Sequence, residues 1–256
     1  MMTGLWAGRR RVVRAVAHVH SEWSDDGSWT LSRVAATFAR LGHDVVLMSE
    51  HSRGFSAAKW LEYTDACRQA SGDRLLLVPG IEYGDADDTV HMPVWGQVPF
   101  FGDGLPTGKL LAEVGGSGGV AIWAHPWRRE AWRRYEPSWL DYLAGVEVWN
   151  RKYDGIAPSR DVLALARREG VKFSVALDFH TRRQLFPLTL ALELDRSPVP
   201  ERGGGSTEAS VCTALAQGRF AARAFGLPAE ALARGPAGVA LRGLELVRRT
   251  AVRGLR

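Results

Sequence analysis

All seven histidines of this 256-residue chain fall before residue 181, and acidic residues stand near most of them. His18-Val-His20 precedes Asp25 and Asp26, Glu50 adjoins His51, and Asp178-Phe-His180 pairs a carboxylate with an imidazole two residues on. Glu82, His91, His125 and Glu147 lie between these groups. Side chains two apart on a strand point to one face, so His18 with His20, and Asp178 with His180, can each offer two donors in one direction. Imidazole and carboxylate together suit Zn²⁺, Mn²⁺ or Fe²⁺, and a carboxylate can bridge two ions. Bound ions activate water near neutral pH and neutralise phosphoryl oxygens, so hydrolysis of a phosphate ester is the chemistry such a set would support. For any one histidine, ordinary packing is the better reading. For the set it is not, because chance scattering would leave several on helices and in the tail.

Short segments rich in Val, Ile and Leu alternate with helical patterns, as expected of βα units around a parallel sheet. Strands are expected near Val12–Ala17, Val45–Met48, Leu75–Val78, Val90–Val94, Val120–Trp123, Val146–Trp149 and Phe173–Leu177. Helices are expected at Leu31–Leu41, Ala57–Ala70, around Leu110–Val114, and at Arg160–Arg168. Pro187–Leu194 reads as one more strand, Gly203-Gly204-Gly205 as a flexible loop, and Thr207–Ala216 as a helix. On this frame His18 and His20 follow the first strand, His51 the second, His125 the fifth and His180 the seventh. His91 begins the fourth, and only His43 sits apart, in a Gly-His-Asp turn. Strand C-termini build the active face of α/β folds, which is where these imidazoles converge. Seven strands with crossover helices suit a closed or nearly closed barrel better than a small sandwich.

Composition narrows the classes further. Hydrophobic residues at 46% and charged residues at 24% are ordinary globular usage and exclude a disordered or fibrous chain. No apolar run is long enough to cross a bilayer, and the first 14 residues lack the apolar stretch of a signal peptide, so a soluble, cytoplasmic protein is expected. Two cysteines, Cys67 and Cys212, make no disulfide framework and read as structural. A net charge of +5 suits an anionic ligand without demanding nucleic acid.

In this order the motifs resemble the PHP superfamily, named for polymerase and histidinol phosphatase domains. The resemblance spans about residues 12–220. His18-Val-His20-Ser-Glu-Trp-Ser24-Asp25 is similar to its opening HxH(T/S)xxSD motif, Ser49-Glu50-His51 to its T-D/E-H motif, and Gly80-Ile81-Glu82 to its G-x-E motif. His91, Ala124-His125-Pro126, Glu147-Val-Trp-Asn150, Asp178-Phe-His180 and Gln217-Gly-Arg-Phe220 fill the later positions. The resemblance implies an α/β fold, a distorted (β/α)7 TIM-like barrel over residues 1–225, with two to three divalent ions at its strand C-termini. Residues 226–256, rich in Ala, Gly, Leu and Arg, would be a helical extension or a basic tail. By the same resemblance His18, His20, Glu82 and Asp178 would hold one ion, Glu82, His91 and His125 a second, and Asp25, His51 and His180 a third. His20, Glu82, Asp178 and His180 form the implied catalytic group, and the proton for the leaving group would come from His20, His180 or a metal-bound water.

Three departures bear on that mapping. Asp26 stands before Gly27, so the acid after the first strand is either Asp25 or Asp26. Glu50 occupies a position more often Asp. Phe179 stands where small residues are usual and is expected to narrow the pocket or alter its specificity.

Basic residues follow several of the motifs: Arg53, Arg128 and Arg129, Arg151 and Lys152, Arg182 and Arg183. Their guanidinium forks suit phosphate oxygens, and Arg128, Asn150 and Arg182 are the expected substrate contacts. The ten tryptophans all precede residue 150. Packing is the favoured reading for them, with base stacking as the rival. The expected partner is therefore a phosphorylated small molecule or a nucleotide. Nucleic acid is admissible but not required, no membrane is involved, and the oligomeric state is not legible.

Gly115-Gly-Ser117-Gly-Gly119 matches G-x-S-x-G literally, but Ser117 leaves a helix and enters a strand, the reverse of a nucleophile elbow. Two rivals to a PHP phosphatase follow from the same residues. One is a nucleotide or oligonucleotide phosphatase or exonuclease of the same superfamily, the other a PHP-like binding module without catalysis. An amidohydrolase would usually add a bridging lysine, a role that Glu82 fills here.

Overall fold

A computed structural model describes residues 10–195 and 207–254; the Gly203–Gly205 loop expectation lies outside these residues. The strands are β1 (Arg11–Val19), β2 (Val45–Met48), β3 (Glu50–His51), β4 (Leu76–Val78), β5 (Gly80–Gly84), β6 (His91–Trp95), β7 (Val120–Trp123), β8 (Leu143–Asn150), β9 (Phe173–Ala176), β10 (Leu188–Leu194), β11 (Phe220–Ala224) and β12 (Leu227–Pro228). The α-helices are α1 (Leu31–Arg40), α2 (Ala57–Ala70), α3 (Thr107–Gly116), α4 (Arg160–Glu169), α5 (Glu208–Ala216) and α6 (Gly235–Gly254).

The molecule is mixed α/β with two six-stranded sheets, ordered β12-β11-β10-β1-β2-β4 and β3-β5-β6-β7-β8-β9. The chain steps directly from one sheet to the other twice, through Ser49 between β2 and β3 and through Pro79 between β4 and β5. At the opposite side, backbone bonds from Leu177 N–H to Ala17 (3.1 Å), Phe179 N–H to His18 (2.9 Å) and His20 N–H to Phe179 (2.8 Å) tie the end of β1 to the segment after β9.

The expectation of a parallel sheet is corrected to a mixed one. β1, β2 and β4 are parallel neighbours, as are β7, β8 and β9. β6, however, runs antiparallel to both β5 and β7, and β10 antiparallel to β1 and β11. The link from β5 to β6, residues 85–90, is too short for a crossover helix and forces a hairpin.

Helix spacing follows burial. α1 buries Leu31, Val34 and Phe38, and Thr30 caps it by accepting the Arg33 N–H. α2 buries Trp60, Tyr63 and Cys67 in the same 3-and-4 rhythm. β2 is buried along its whole length, as a strand covered on both faces must be. Most described tryptophans are core residues, Trp29, Trp60, Trp95, Trp123, Trp139 and Trp149 among them, while Trp127 is exposed. Phe179 is fully buried with its ring against Trp29 (4.9 Å) and Phe38 (5.5 Å), so it packs the core instead of narrowing a pocket. Both cysteines are free and buried. Among the described residues no helix is long and apolar enough to cross a membrane.

Candidate metal centre

Glu82 stands at the middle of β5, a strand that the sequence pattern does not predict, the expected strand before it ending at Val78. Its side chain is almost fully buried, and imidazoles surround it. Oε1 lies 2.8 Å from His91 Nδ1, 2.9 Å from His125 Nε2 and 3.2 Å from His18 Nε2, and Oε2 lies 3.1 Å from His51 Nδ1 and 3.5 Å from His20 Nε2. Asp178 faces the same centre, with Oδ1 3.6 Å from His20 Nε2 and 3.3 Å from His180 Nδ1, and Oδ2 3.7 Å from His125 Nε2. Among the described residues, three groups of donor atoms lie close enough together to hold an ion: His18, Glu82 and His125; His18, His20 and Asp178; and His20, Asp26, His51 and His180.

Asp26, not Asp25, completes the third group. Its oxygens are 3.2 Å from His51 Nε2 and 3.0 Å from His180 Nε2, whereas Asp25 points outward and pairs with Arg53 at 3.1 Å. His91 touches Glu82 but also gives its Nε2 to Asp88 at 2.7 Å. His43 lies apart, against Phe38.

Several of the backbone positions are unusual. His18, His125 and Asp178 have positive φ angles of 62°, 25° and 48°. A left-handed backbone at non-glycine residues costs on the order of 1–3 kcal/mol each and tends to collect at functional sites. At His18 the cause is visible, because the β1–β2 register shifts between Ala17 and Val19, a bulge that re-aims the imidazole.

The outer nitrogens of the rings are held by the protein. His18 Nδ1–H donates to Glu147 at 2.8 Å, His20 Nδ1 lies 3.2 Å from the Ser24 hydroxyl, and His180 Nδ1 lies 3.0 Å from the Asp178 carbonyl. Ser24 in turn donates to Glu50 at 2.5 Å and accepts the His51 N–H at 3.0 Å. Glu50 also accepts from Ser21, so this buried acid braces the first ligand loop. The inner nitrogens His18 Nε2 and His20 Nε2 are buried and make no hydrogen bond. Buried imidazole lone pairs fixed by a hydrogen bond on the far nitrogen and aimed at carboxylates fit a divalent cation.

The charges are consistent with that fit. Burial would raise the Glu82 pKa, but His18 and His91 hold it well below the carboxylate range. Burial would lower the pKa values of His51 and His91. Asp26 and Glu82 outweigh it at His51, which rises to about 10, and Glu82 with Asp88 outweighs it at His91, which rises to about 9. At His20 burial prevails, aided by His180 and His51, and its pKa falls well below the usual value.

The expected substrate contacts behave differently from one another. Asn150 is fully buried and committed to the chain: its Nδ2–H donates to Glu147 (2.7 Å), and its Oδ1 accepts the Lys152 N–H (3.0 Å). Both ends of its amide are therefore engaged within the chain. Arg128 sits at the rim, bonded to Asp88 (2.6 Å) and the Tyr153 hydroxyl (3.1 Å) and 3.1 Å from His91 Nε2. Arg182 is exposed in a single 3-10 turn. Lys152 reaches further in than either, with Nζ 3.2 Å from Asp178 Oδ1, and the Tyr153 ring lies 4.7 Å from that of His125. The sequence had marked Lys152 only as one of several basic neighbours. A cavity of about 150 Å³ opens beside His51, Glu82 and His91.

No family model matches the chain, and no curated protein matches it significantly. Solved structures do. A two-domain protein from Bacteroides vulgatus ATCC 8482, described as containing a predicted PHP-like metal-dependent phosphoesterase, is 16% identical with a TM-score of 0.60, over 84% of this chain and 65% of that one. This chain has a PHP-like fold. PsfC from Pseudomonas syringae PB-5123 is similar at 14% identity and a TM-score of 0.62, over 94% of this chain and 99% of its own. The lesion-specific endonuclease PfuEndoQ from Pyrococcus furiosus is also similar, at 15% identity and a TM-score of 0.52, over 77% of this chain and 57% of its own. The chain thus spans about two thirds of the first protein and just over half of the third.

Proposed function

We propose that the chain is a metal-dependent phosphoesterase of the PHP superfamily, hydrolysing a phosphate ester at a di- or trinuclear site. The observation that carries this reading is the pair of buried carboxylates, Glu82 and Asp178, ringed by imidazoles whose inner nitrogens His18 Nε2 and His20 Nε2 lack a hydrogen-bond partner. His18, His20, Glu82 and Asp178 would hold one ion, Glu82, His91 and His125 a second, and Asp26, His51 and His180 a third. Zn²⁺, Mn²⁺ or Fe²⁺ would supply Lewis acidity and an activated water there. We further take the two sheets, with their direct crossings and the β1–β9 bonds, as the distorted barrel of residues 1–225, residues 226–256 as an extension of it, and the cytoplasm as its setting.

The remaining roles fall to side chains of this chain. Lys152, held above its usual pKa by Asp178 despite burial, keeps a cation at the mouth of the centre to meet phosphoryl oxygens. Arg128 at the rim and Arg182 in its exposed turn serve the same anion. His20 and His180, whose rings stack at 4.1 Å, would serve as ligands, so the proton for the leaving oxygen would come from water. Glu147 and Asn150 keep His18 in its ligating tautomer.

A panel of phosphomonoesters, nucleotides and short oligonucleotides tests the reading. Phosphate release on at least one class, abolished by chelator and restored by Mn²⁺ or Zn²⁺, is expected. Metal-loaded protein inert across the whole panel would overturn it.

A further inference from the structure

The wall of the centre that carries Lys152 and Tyr153 is the turn-rich segment between β8 and α4. Its inner side is tied to β8. The Asp154 carboxylate accepts the Asn150 N–H at 2.7 Å, and the Trp149 indole N–H donates to the Gly155 carbonyl at 3.1 Å. Its outer side rests on α6. Glu245 of that helix is buried although it is charged, and its carboxylate accepts the Ile156 N–H at 3.0 Å together with Arg248 (2.7 Å) and Arg249 (2.6 Å). Arg249 also donates to the carbonyls of Tyr153 and Asp154, both at 3.3 Å.

Gly155 makes the approach close. It has a φ of +76°, which strains other residues, and a Cβ there would stand 2.3 Å from both Glu245 oxygens and push that carboxylate aside. Burying a carboxylate is costly unless each oxygen is bonded, and a helix that merely covered surface would do so with apolar residues. Here the buried acid joins two arginines of its own helix to the backbone of one loop, and that loop carries Lys152 beside Asp178 and Tyr153 beside His125.

We propose that Glu245, supported by Arg249, is a positioning residue of this site: α6 fixes the 152–156 loop so that Lys152 and Tyr153 face the phosphate of the substrate. The inference rests on the phosphoesterase reading for its ligand. It gives α6 a task in substrate binding that the metal ligands do not perform, and it predicts a change in KM with little change in kcat.

The test compares wild type with Glu245→Ala, Glu245→Gln, the milder Arg249→Ala, and a control in the same C-terminal segment, Glu230→Ala, whose partners are Arg167 and Arg234. Metal equivalents, KM, kcat, inhibition by inorganic phosphate and amide hydrogen exchange over residues 152–156 are read for each. Glu245→Ala should raise KM and the phosphate inhibition constant about tenfold, roughly 1.4 kcal/mol, with kcat within threefold, metal content unchanged and loop exchange faster. Gln, which still accepts the Ile156 N–H, should recover part of the loss, Arg249→Ala should shift KM in the same direction, and Glu230→Ala should match wild type. Folded Glu245 and Arg249 variants with wild-type KM and wild-type exchange would overturn the proposal, as would an equal effect from Glu230→Ala. If wild type turns over nothing, the phosphoesterase reading falls on its own. The exchange arm then still decides whether α6 holds the loop, slow exchange in Glu245→Ala refuting it.

Discussion

At the scale of single residues, the centre depends on which nitrogen of each imidazole is left free. His125 lies in the ring of donors around Glu82 and Asp178, whereas His43 packs against Phe38. His125→Ala should therefore cut metal content and hydrolysis together, while His43→Ala leaves both near wild type; equal effects would refute the ligand assignment. The same comparison separates the two neighbouring acids, with Asp26→Asn costing bound metal and Asp25→Asn, which loses only an exposed pair with Arg53, costing none. A pH dependence follows from His51 and His91, whose pKa values of about 10 and about 9 mean that both rings carry protons near neutrality. A cation must displace those protons, so metal uptake should release protons and tighten as pH rises toward 9. Calorimetry in buffers of differing ionisation enthalpy reads this directly, and an affinity unchanged between pH 6 and 9 would contradict it. With the ions chelated, the same imidazolium–carboxylate pairs stabilise the fold below the unfolded imidazole pKa of about 6.5. That contribution disappears as pH climbs through 9 to 10.

At the scale of elements, the two direct crossings between sheets set the position of Glu82. Gly80 opens β5 at one of them, and a Cβ there would lie 2.4 Å from the Met48 carbonyl and from the Trp95 ring, whose indole N–H donates to that carbonyl at 2.7 Å. Gly80→Ala should destabilise the protein by about 1–3 kcal/mol or more, measured by urea unfolding, and lower metal affinity by moving β5; wild-type values for both would show that the crossing is less tight than drawn. The elements themselves were largely legible. β2, β7 and α2 match the apolar runs and the 3-and-4 spacing residue for residue, because continuous burial leaves an unambiguous pattern. β5 was missed since Gly80 and Gly84 dilute its apolar signal, and β11 since Phe-Ala-Ala-Arg-Ala over Phe220–Ala224 lacks the β-branched residues that mark a strand. Antiparallel pairing of β6 was not legible because strand direction is set by connection length and partner, neither of which periodicity records. At the site, residue types identified the donors, but the choice of Asp26 over Asp25 and the inward reach of Lys152 depend on loop geometry. So does the withdrawal of Asn150 into the network around Glu147.

At the scale of the whole molecule, the donors come from both sheets: His18 and His20 from the end of β1 in one, Glu82, His91 and His125 from β5, β6 and the end of β7 in the other. Ions held between them would cross-link the two sheets, so binding should appear as global stability. At a free concentration 100 times Kd, one site contributes about 2.7 kcal/mol, a Tm rise of roughly 5–10 °C for a chain of this size. An unshifted Tm on adding Mn²⁺ or Zn²⁺ would place any bound ion on the surface instead. The most direct measurement of the central claim is the metal stoichiometry of purified protein reconstituted with Mn²⁺ or Zn²⁺, wild type beside Glu82→Gln. Two to three equivalents in wild type, with at least one lost when the shared carboxylate is neutralised, is the predicted result. Less than one equivalent in wild type at saturating metal would contradict the account.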